Sequence, residues 1–206
     1  MMHGIKLPEG LVESQKFPEP LFTPSTKADQ GNHDQNISPE EGTSFSLSLF
    51  DANSITTTIV AASNLIGPAL YSQISTAALS LYKTASSYAL SRGLILADTK
   101  FEFGLLPADP SSSNPSTLPT LILIDELLTP DSSRYWPLEG YEEGRGQSSF
   151  DKQFVRDWLK GAGFRTGLES GPEGREGEGW VIDDDIVKKT RVKYEDAVRM
   201  LMGDGV

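Results

Sequence analysis

Three charged residues alternate in the short segment ADTKFEFG, whose pattern is typical of a β-strand. Successive side chains of a strand point to opposite faces, so we expect Asp98, Lys100 and Glu102 to share one face. Two carboxylates around one ammonium group can form an ordinary solvated ladder of ion pairs, or they can form the floor of a metal and phosphate site. The segment alone leaves both interpretations open.

A second acidic pair, Asp125 and Glu126, ends the aliphatic segment LILIDE. We expect the strand Leu94–Leu105 to pair antiparallel with Leu121–Glu126 across the loop 107–119, which brings one of these acids close to the charged face. Magnesium binds one or two carboxylates together with phosphate oxygens, and a nearby lysine stabilises charge on a transferred phosphoryl group. The two strands together therefore resemble a magnesium site whose lysine contacts phosphate.

The segment LTPDSSRYW, which follows almost directly, could bind an anion. Ser132, Ser133 and Arg134 offer two hydroxyls, turn amides and a guanidinium fork, which suit a phosphate monoester. Pro-Asp-Ser is also common in ordinary turns, so the position of this segment after the acidic strand is what favours binding. Lys152 and Arg156 lie four residues apart on one helical face, which taken alone is more typical of a solvated surface.

Composition narrows the classes of function. The chain has 206 residues, no cysteine and two histidines, so thiolate metal sites are excluded and a hard cation such as Mg²⁺ is favoured over zinc. A net charge of -11 without clustered Lys and Arg argues against nucleic-acid binding. No segment is apolar enough to span a membrane and no signal peptide is visible, so we expect a soluble, cytoplasmic protein of one ordinary domain.

Helical spacing predicts long helices near the middle and at the end of the chain. The first should begin at Pro68, because proline suits the first helical turn, and end at Gly93. The last should begin at the acidic residues 183–185, which favour the positive end of a helix, and end before Gly203. Together with the two strands, these helices predict an α+β fold in which an antiparallel sheet is flanked by helices.

A further helix is predicted between them. Its apolar stripe repeats every four residues, with Ser148 or Ser149 as the capping residue, and consists of Phe150, Phe154 and Trp158. Near the start of the chain, Asp34 lies in the polar loop STKADQGNHDQN, which by itself is typical of a connector.

Four blocks of this sequence, in order, resemble the SAICAR synthetases of the fungal type. They are FPEPLFTPSTKADQGNHDQNIS from Phe17, ADTKFEFG from Ala97, LIDELLTPDSSRYW from Leu123 and SFDKQFVRDWL from Ser149. The resemblance implies an ATP-dependent ligase of purine biosynthesis. Such an enzyme joins a carboxylated aminoimidazole ribonucleotide (CAIR) to L-aspartate, giving SAICAR, ADP and phosphate, with ATP and Mg²⁺ as cofactors.

The resemblance also implies roles around the nucleotide. Glu102 and Asp125 would hold the magnesium bound to ATP, and Lys100 would contact phosphate or the reacting carboxylate as a catalytic residue. Asp34 would help a further metal bind the imidazole carboxylate. In this family chemistry the substrate carboxylate is phosphorylated and then attacked by the amine of aspartate, with electrostatic stabilisation as the main protein contribution.

A second group of residues is assigned to the substrate by the same resemblance. Ser133 and Arg134 would hold the ribonucleotide phosphate, and Asp131 would orient neighbouring groups as a second catalytic residue. Lys152 and Arg156 would bind substrate anions.

The resemblance covers most of this chain but only the C-terminal part of the family's enzyme. We expect an extended segment 1–41 that carries the substrate and metal loop, an atypical insert 42–63, and a C-terminal α+β lobe 64–206. The family's N-terminal ATP-binding lobe is expected to be absent, and a separately supplied lobe is the expected partner. Two alternatives remain. One is an inactive or partner-dependent fragment that binds the ribonucleotide without turnover, and the other is a magnesium-dependent small-molecule kinase, which would not need aspartate.

Overall fold

The computed structural model describes residues 7–25, 62–106, 120–150, 152–163 and 181–203. The chain divides into two compact units, Met1–Lys83 and Thr84–Val206. The elements in chain order are α1 (Ala62–Ile66), α2 (Pro68–Ser91), β1 (Leu94–Thr99), β2 (Glu102–Leu106), β3 (Thr120–Ile124), β4 (Ser133–Pro137), α3 (Gln153–Gly161) and α4 (Asp184–Met202). Helices therefore combine with antiparallel strands, and the predicted α+β class is confirmed.

In the first unit, the segment 7–25 runs against the N-terminal part of α2. The ring of Phe22 contacts Tyr71 edge to face at 5.9 Å between centroids. An exposed ion pair joins Lys83 Nζ to Glu19 Oε2 at 3.1 Å. Asp34 and most of the predicted insert 42–63 lie outside the described residues.

The predicted ends of the first long helix are confirmed. Pro68 is the first residue of α2. The helix stops before Gly93, whose φ of 78° is in the left-handed region that glycine adopts without strain, and the Gly93 amide donates to the carbonyl of Leu90 at 3.1 Å. The chain then turns directly into β1.

The prediction of one strand over Leu94–Leu105 is wrong. The structure has two strands, β1 and β2, separated at Lys100 and Phe101. The pairing of β1 is irregular between Leu96 and Asp98, and the Lys100 amide donates to the carbonyl of Ser132 at 2.9 Å. Such irregularities increase the local twist, and after this one β1 and β2 pair with different strands.

The two strands form two separate two-stranded antiparallel sheets among the described residues, in place of the single predicted sheet. β1 pairs with β4, whose residues were predicted as part of a turn, and Asp98 lies opposite Arg134. β2 pairs with β3, with Glu102 opposite Ile124, which confirms the predicted antiparallel pairing for this half of the segment.

The helix after β4 begins later than predicted. α3 starts at Gln153 after Lys152, and no side chain caps it, so the predicted serine cap is wrong. Ser149 Oγ instead donates to the carbonyl of Tyr135 at 3.3 Å, which ties this serine to β4. Phe150 consequently precedes the helix, and its amide also donates to Tyr135, at 3.0 Å.

The last helix is confirmed. α4 begins after Asp183, carries acidic residues in its first turn and ends at Gly203 with φ of 86°. Ala197 of α4 packs in a core that contains Leu94, Leu96 and Tyr135, all at most 2% exposed. Burying a leucine side chain contributes about 1.5–3 kcal/mol, so this core fixes β1 and β4 firmly. None of the described helices is long and apolar enough to cross a membrane.

Candidate functional site

Lys100 and Glu102 form the closest charged pair of the predicted site. Lys100 Nζ lies 2.8 Å from Glu102 Oε1, although the two residues stand on either side of the break between β1 and β2. The side chain of Glu102 is only 11% exposed, whereas that of Lys100 is 53% exposed. Burying an ionised carboxylate is costly unless it is paired, so the lysine stabilises Glu102 in its position. This pair does not fit the interpretation as a freely solvated ladder.

Asp98 forms a different pair. Its carboxylate lies 3.2 Å from the guanidinium of Arg134, directly across the β1–β4 ladder. Both side chains are well exposed, so the ion pair contributes at most about 1 kcal/mol. The prediction that Asp98, Lys100 and Glu102 line one face of one strand is therefore wrong. The strand ends at Thr99, and Asp98 pairs with Arg134 of β4. Among the three charged residues, Asp98 is the one that forms an exposed surface ion pair, and its partner is Arg134.

Asp125 directly follows the end of β3. Ile124, the residue before it, is the register partner of Glu102, so both predicted magnesium ligands lie at the same end of the β2–β3 ladder. Asp125 has φ of 66°, a conformation that aspartate tolerates better than most residues, and it starts the turn that leads to β4. Its side chain is exposed. No cluster of three or more His, Asp or Glu side chains that could hold a metal occurs in the described ranges.

The turn before β4 is rich in hydroxyl groups. The Thr129 amide donates to Ser132 Oγ at 3.1 Å, and the Ser132 amide donates back to the Thr129 carbonyl at 3.1 Å. Ser133 Oγ lies 2.8 Å from Thr99 Oγ1 of β1, and Ser133 itself is buried. Thr129 Oγ1 donates to Glu126. Three hydroxyls and several turn amides therefore lie within five residues of Arg134, and a fourth hydroxyl, that of Thr99, reaches Ser133 from β1.

Two of these hydroxyl residues were not predicted from the sequence. Thr129 could have been found, because threonine followed by Pro-Asp-Ser is a pattern that binds its own backbone in a turn. Thr99 could not, because its contact with Ser133 depends on the register of β1 against β4.

Tyr135 contacts the turn through its hydroxyl group and was also not predicted from the sequence. Its hydroxyl donates to the carbonyl of Leu128 at 2.9 Å, and the residue is 2% exposed. Burial raises the pKa of the phenol, and a hydrogen bond with Ser133 opposes that shift. A neutral Tyr135 therefore fixes Leu128, which has φ of 58°, at the start of the hydroxyl-rich turn.

The remaining predicted substrate residues lie on other segments. Asp131 is in the turn, and its Oδ1 accepts a hydrogen bond from Tyr194 of α4 at 2.8 Å. Lys152 directly precedes α3, and the Arg156 amide donates to its carbonyl at 3.1 Å, so both lie one helical turn apart as predicted. Both side chains are exposed.

The order and spacing of these groups agree with one family. The model of the SAICAR synthetases matches residues 1–169. The chain belongs to the SAICAR synthetase family. A phosphoribosylaminoimidazole-succinocarboxamide synthase from Lachnospira eligens is 44% identical over 200 residues, which are 97% of this chain and 55% of that protein. The predicted family is thereby confirmed.

Solved structures agree with this assignment. A SAICAR synthase from Saccharomyces cerevisiae, complexed with SAICAR, has a TM-score of 0.70 and 39% identity, and the match covers 99% of this chain and 53% of that one. A SAICAR synthetase in complex with ADP has a TM-score of 0.52 at 20% identity, over 96% of this chain and 55% of that one, and so shares the fold. The chain spans about half the length of the relatives that it matches.

Proposed function

We propose that this chain serves the ATP-dependent ligation of CAIR and L-aspartate to SAICAR, with Mg²⁺ as cofactor. The observation that carries the proposal is the Glu102 side chain, 11% exposed and paired with Lys100 at 2.8 Å, in a member of the SAICAR synthetase family. The synthase name of the relative from Lachnospira eligens and the SAICAR and ADP complexes of the two solved structures support it.

The carboxylates suit magnesium by their chemistry. Glu102 and Asp125 supply the hard oxygen ligands that Mg²⁺ prefers, and Mg²⁺ commonly takes only one or two carboxylates beside phosphate oxygens. We assign these two residues to the metal, which would neutralise phosphate charge when it is bound. The Lys100 side chain is 53% exposed, so its ammonium group can contact a ligand anion while it stays next to Glu102.

Arg134 is assigned to the phosphate of the ribonucleotide. A guanidinium group can donate two parallel hydrogen bonds to a phosphate, and such bonds are stronger than those between neutral groups. Its pair with Asp98 is exposed and weak, so exchanging this carboxylate for a phosphate dianion costs little. Ser133, next to Arg134, adds a hydroxyl whose position is fixed by Thr99.

Four further residues keep their predicted roles as proposals. Lys152, which precedes α3, and Arg156 of α3 would bind substrate anions, and Asp131 would orient groups near the phosphate. Asp34 remains a predicted metal ligand.

A turnover assay with matched omissions tests the proposal. We expect SAICAR, detected by mass spectrometry, when CAIR, L-aspartate, ATP and Mg²⁺ are all present. ADP released equally with and without L-aspartate would instead support a kinase. CAIR binding in calorimetry with no product would support the binding fragment, and failure to bind either CAIR or Mg-ATP would contradict the family function for this chain.

Glu102→Gln tests the carboxylate itself. We expect Mg-ATP affinity to fall about 10- to 100-fold, because a charged ligand to the metal is lost. Glu139→Gln, an equal change at an exposed position after β4, is the matched control and should leave the affinity unchanged. Equal affinity for Glu102→Gln and wild type would remove Glu102 from the site.

A further inference from the structure

Two neighbouring residues of α4 contact two separate segments of the candidate site. Tyr194 donates its hydroxyl hydrogen to Asp131 Oδ1 at 2.8 Å, in the turn before β4. Lys193 Nζ donates to the carbonyl of Ser149 at 3.1 Å, in the segment that leads into α3. Adjacent residues of an α-helix project about 100° apart, so one turn of α4 can reach both segments at once.

The ammonium group of Lys193 lies near two aromatic rings. It lies 5.8 Å from the ring centre of Phe150 and 5.2 Å from that of Phe154, within the range of cation–π attraction. The same segment is tied to β4, because the Phe150 amide donates to the carbonyl of Tyr135 at 3.0 Å. Phe150 is thus hydrogen-bonded to β4, and the neighbouring Ser149 is hydrogen-bonded to α4.

Tyr194 acts on the other segment. The turn already has internal hydrogen bonds between Thr129 and Ser132 and a bond from Tyr135 to Leu128. These contacts fix its backbone but do not orient the carboxylate of Asp131, which is exposed. The Tyr194 hydroxyl supplies a contact to one oxygen of that carboxylate and so restricts its rotation.

α4 is itself firmly attached near its C-terminal end. The Tyr88 hydroxyl donates to the carbonyl of Leu201 at 2.6 Å, and Arg92 Nε donates to that of Met200 at 2.8 Å. Ala197 is fully buried. A helix fixed in this way can transmit the position of the core to the side chains that it presents.

We propose that Lys193 and Tyr194 are positioning residues for ribonucleotide binding. They hold the Asp131 turn and the entrance to α3 in one relative arrangement, so that Arg134 and Lys152 can bind anionic groups of one ligand. The inference rests on the proposed function. α4 begins at Asp184, beyond the residues 1–169 that match the family model, so the family match itself assigns no role to this helix.

A pair of tyrosine variants tests the proposal. Tyr194→Phe removes the hydroxyl that contacts Asp131, and Tyr88→Phe removes a hydroxyl that attaches the same helix elsewhere. We expect Tyr194→Phe to weaken CAIR binding about 3- to 10-fold in calorimetry, the effect of one lost hydrogen bond, and to speed amide hydrogen exchange in residues 128–134. Tyr88→Phe should leave both quantities as in wild type, because the Arg92 hydrogen bond to Met200 and the buried Ala197 still attach α4.

The two readouts separate this inference from the proposed function. Wild-type protein that fails to bind CAIR contradicts the proposed function, whereas the exchange rates of residues 128–134 still test the contact in the free chain. Unchanged exchange and unchanged CAIR affinity in Tyr194→Phe would overturn the inference and leave the proposed function standing. An equal loss of affinity in Tyr88→Phe would also overturn it, because the effect would then be general loosening of α4.

Two substitutions of Lys193 give a second, independent test. Lys193→Met should weaken CAIR binding and speed exchange in residues 149–154, whereas Lys193→Arg keeps a cation over the rings and should restore both toward wild type. Lys189→Met, which removes an exposed ion pair with Asp185 on the same helix, is the control. Equal behaviour of the Met and Arg variants would contradict a positioning role for the charge.

Discussion

The two antiparallel ribbons of this chain have the same secondary structure but very different support. In the β1–β4 ribbon, Leu94 and Tyr135 are 0% and 2% exposed. In the β2–β3 ribbon, Leu106 and Ile124 are 51% and 37% exposed. The residues assigned to phosphate stand on the buried ribbon and those assigned to magnesium stand on the exposed one. The proposed phosphate site would therefore lie on the well-buried ribbon, and the proposed metal site on the more exposed one.

One residue departs from this contrast. Glu102 belongs to the exposed ribbon, yet its side chain is only 11% exposed and lies 2.8 Å from Lys100, next to the break between the ribbons. The break therefore does two things. It lets β1 pair with β4 and β2 pair with β3. It also lies next to Glu102, the little-exposed carboxylate that we assign to the metal.

The largest expected effect separates the ribbons by stability. Leu96→Ala on β1 should lower the free energy of unfolding by about 2–5 kcal/mol, because Leu96 is 2% exposed and the change leaves a cavity. Leu123→Ala, the same change on β3, should cost about 1 kcal/mol, since Leu123 is already partly in water. Urea unfolding of both variants measures the difference. Equal losses would show that the ribbons are supported equally.

The next effect concerns ligand affinity on the buried ribbon. Arg134→Gln should weaken CAIR binding about 10- to 100-fold, the effect of losing charge-assisted hydrogen bonds, and should change stability by less than about 1 kcal/mol. Asp98→Asn is the matched variant, because it removes the carboxylate that now occupies the guanidinium. We expect it to bind CAIR at least as tightly as wild type. Loss of affinity in Asp98→Asn equal to that in Arg134→Gln would mean that the ion pair between the two residues, and not the guanidinium group of Arg134 itself, is needed for binding.

Local patterns predicted those parts of the molecule that depend on neighbouring residues. The ends of α2 followed from Pro68 and Gly93. Lys100 and Glu102 were predicted to share a face of one strand, and although the strand is broken at Lys100 and Phe101, their side chains are in contact. Their contact needs only the short stretch of backbone that joins them.

The sequence did not predict features that depend on distant partners. β4 was predicted as turn, since Pro-Asp-Ser-Ser favours turns, and its strand conformation comes from pairing with β1 more than thirty residues earlier. Ser149 was expected to cap a helix, but its hydroxyl bonds to Tyr135 instead. The contact between Tyr194 and Asp131 likewise requires the packing of α4, which no local pattern encodes.

A smaller expected effect is the change with pH in the free energy of unfolding, which depends on Tyr135 in the buried ribbon. Burial raises the pKa of Tyr135 above its ordinary value of 10.0. Above pH 10 the unfolded chain therefore releases a phenol proton that the folded chain retains, so the free energy of unfolding falls as pH rises, by at most about 1.4 kcal/mol per pH unit. The stabilisation by Tyr135 is present below pH 10 and lost above it. Urea unfolding of wild type and Tyr135→Phe from pH 8 to 11 measures the difference between their free energies of unfolding. This difference should shrink above pH 10, and a constant difference would contradict a raised pKa of Tyr135.

The smallest effect probes the exposed ribbon. A methyl group placed on Gly104 of β2 would meet Ile124 Cδ1 at 3.4 Å and Ile122 Cγ1 at 3.7 Å, which are ordinary contacts with the side chains opposite. Gly104→Ala should therefore raise the free energy of unfolding by about 0.4–1 kcal/mol, because alanine restricts the unfolded chain and adds apolar contact on the strand. Urea unfolding measures it, with Gly161→Ala in α3 as a helical comparison. A loss of stability at Gly104 would mean that β2 and β3 pack more tightly than their exposure indicates, and the contrast between the two ribbons would then rest on Leu96 alone.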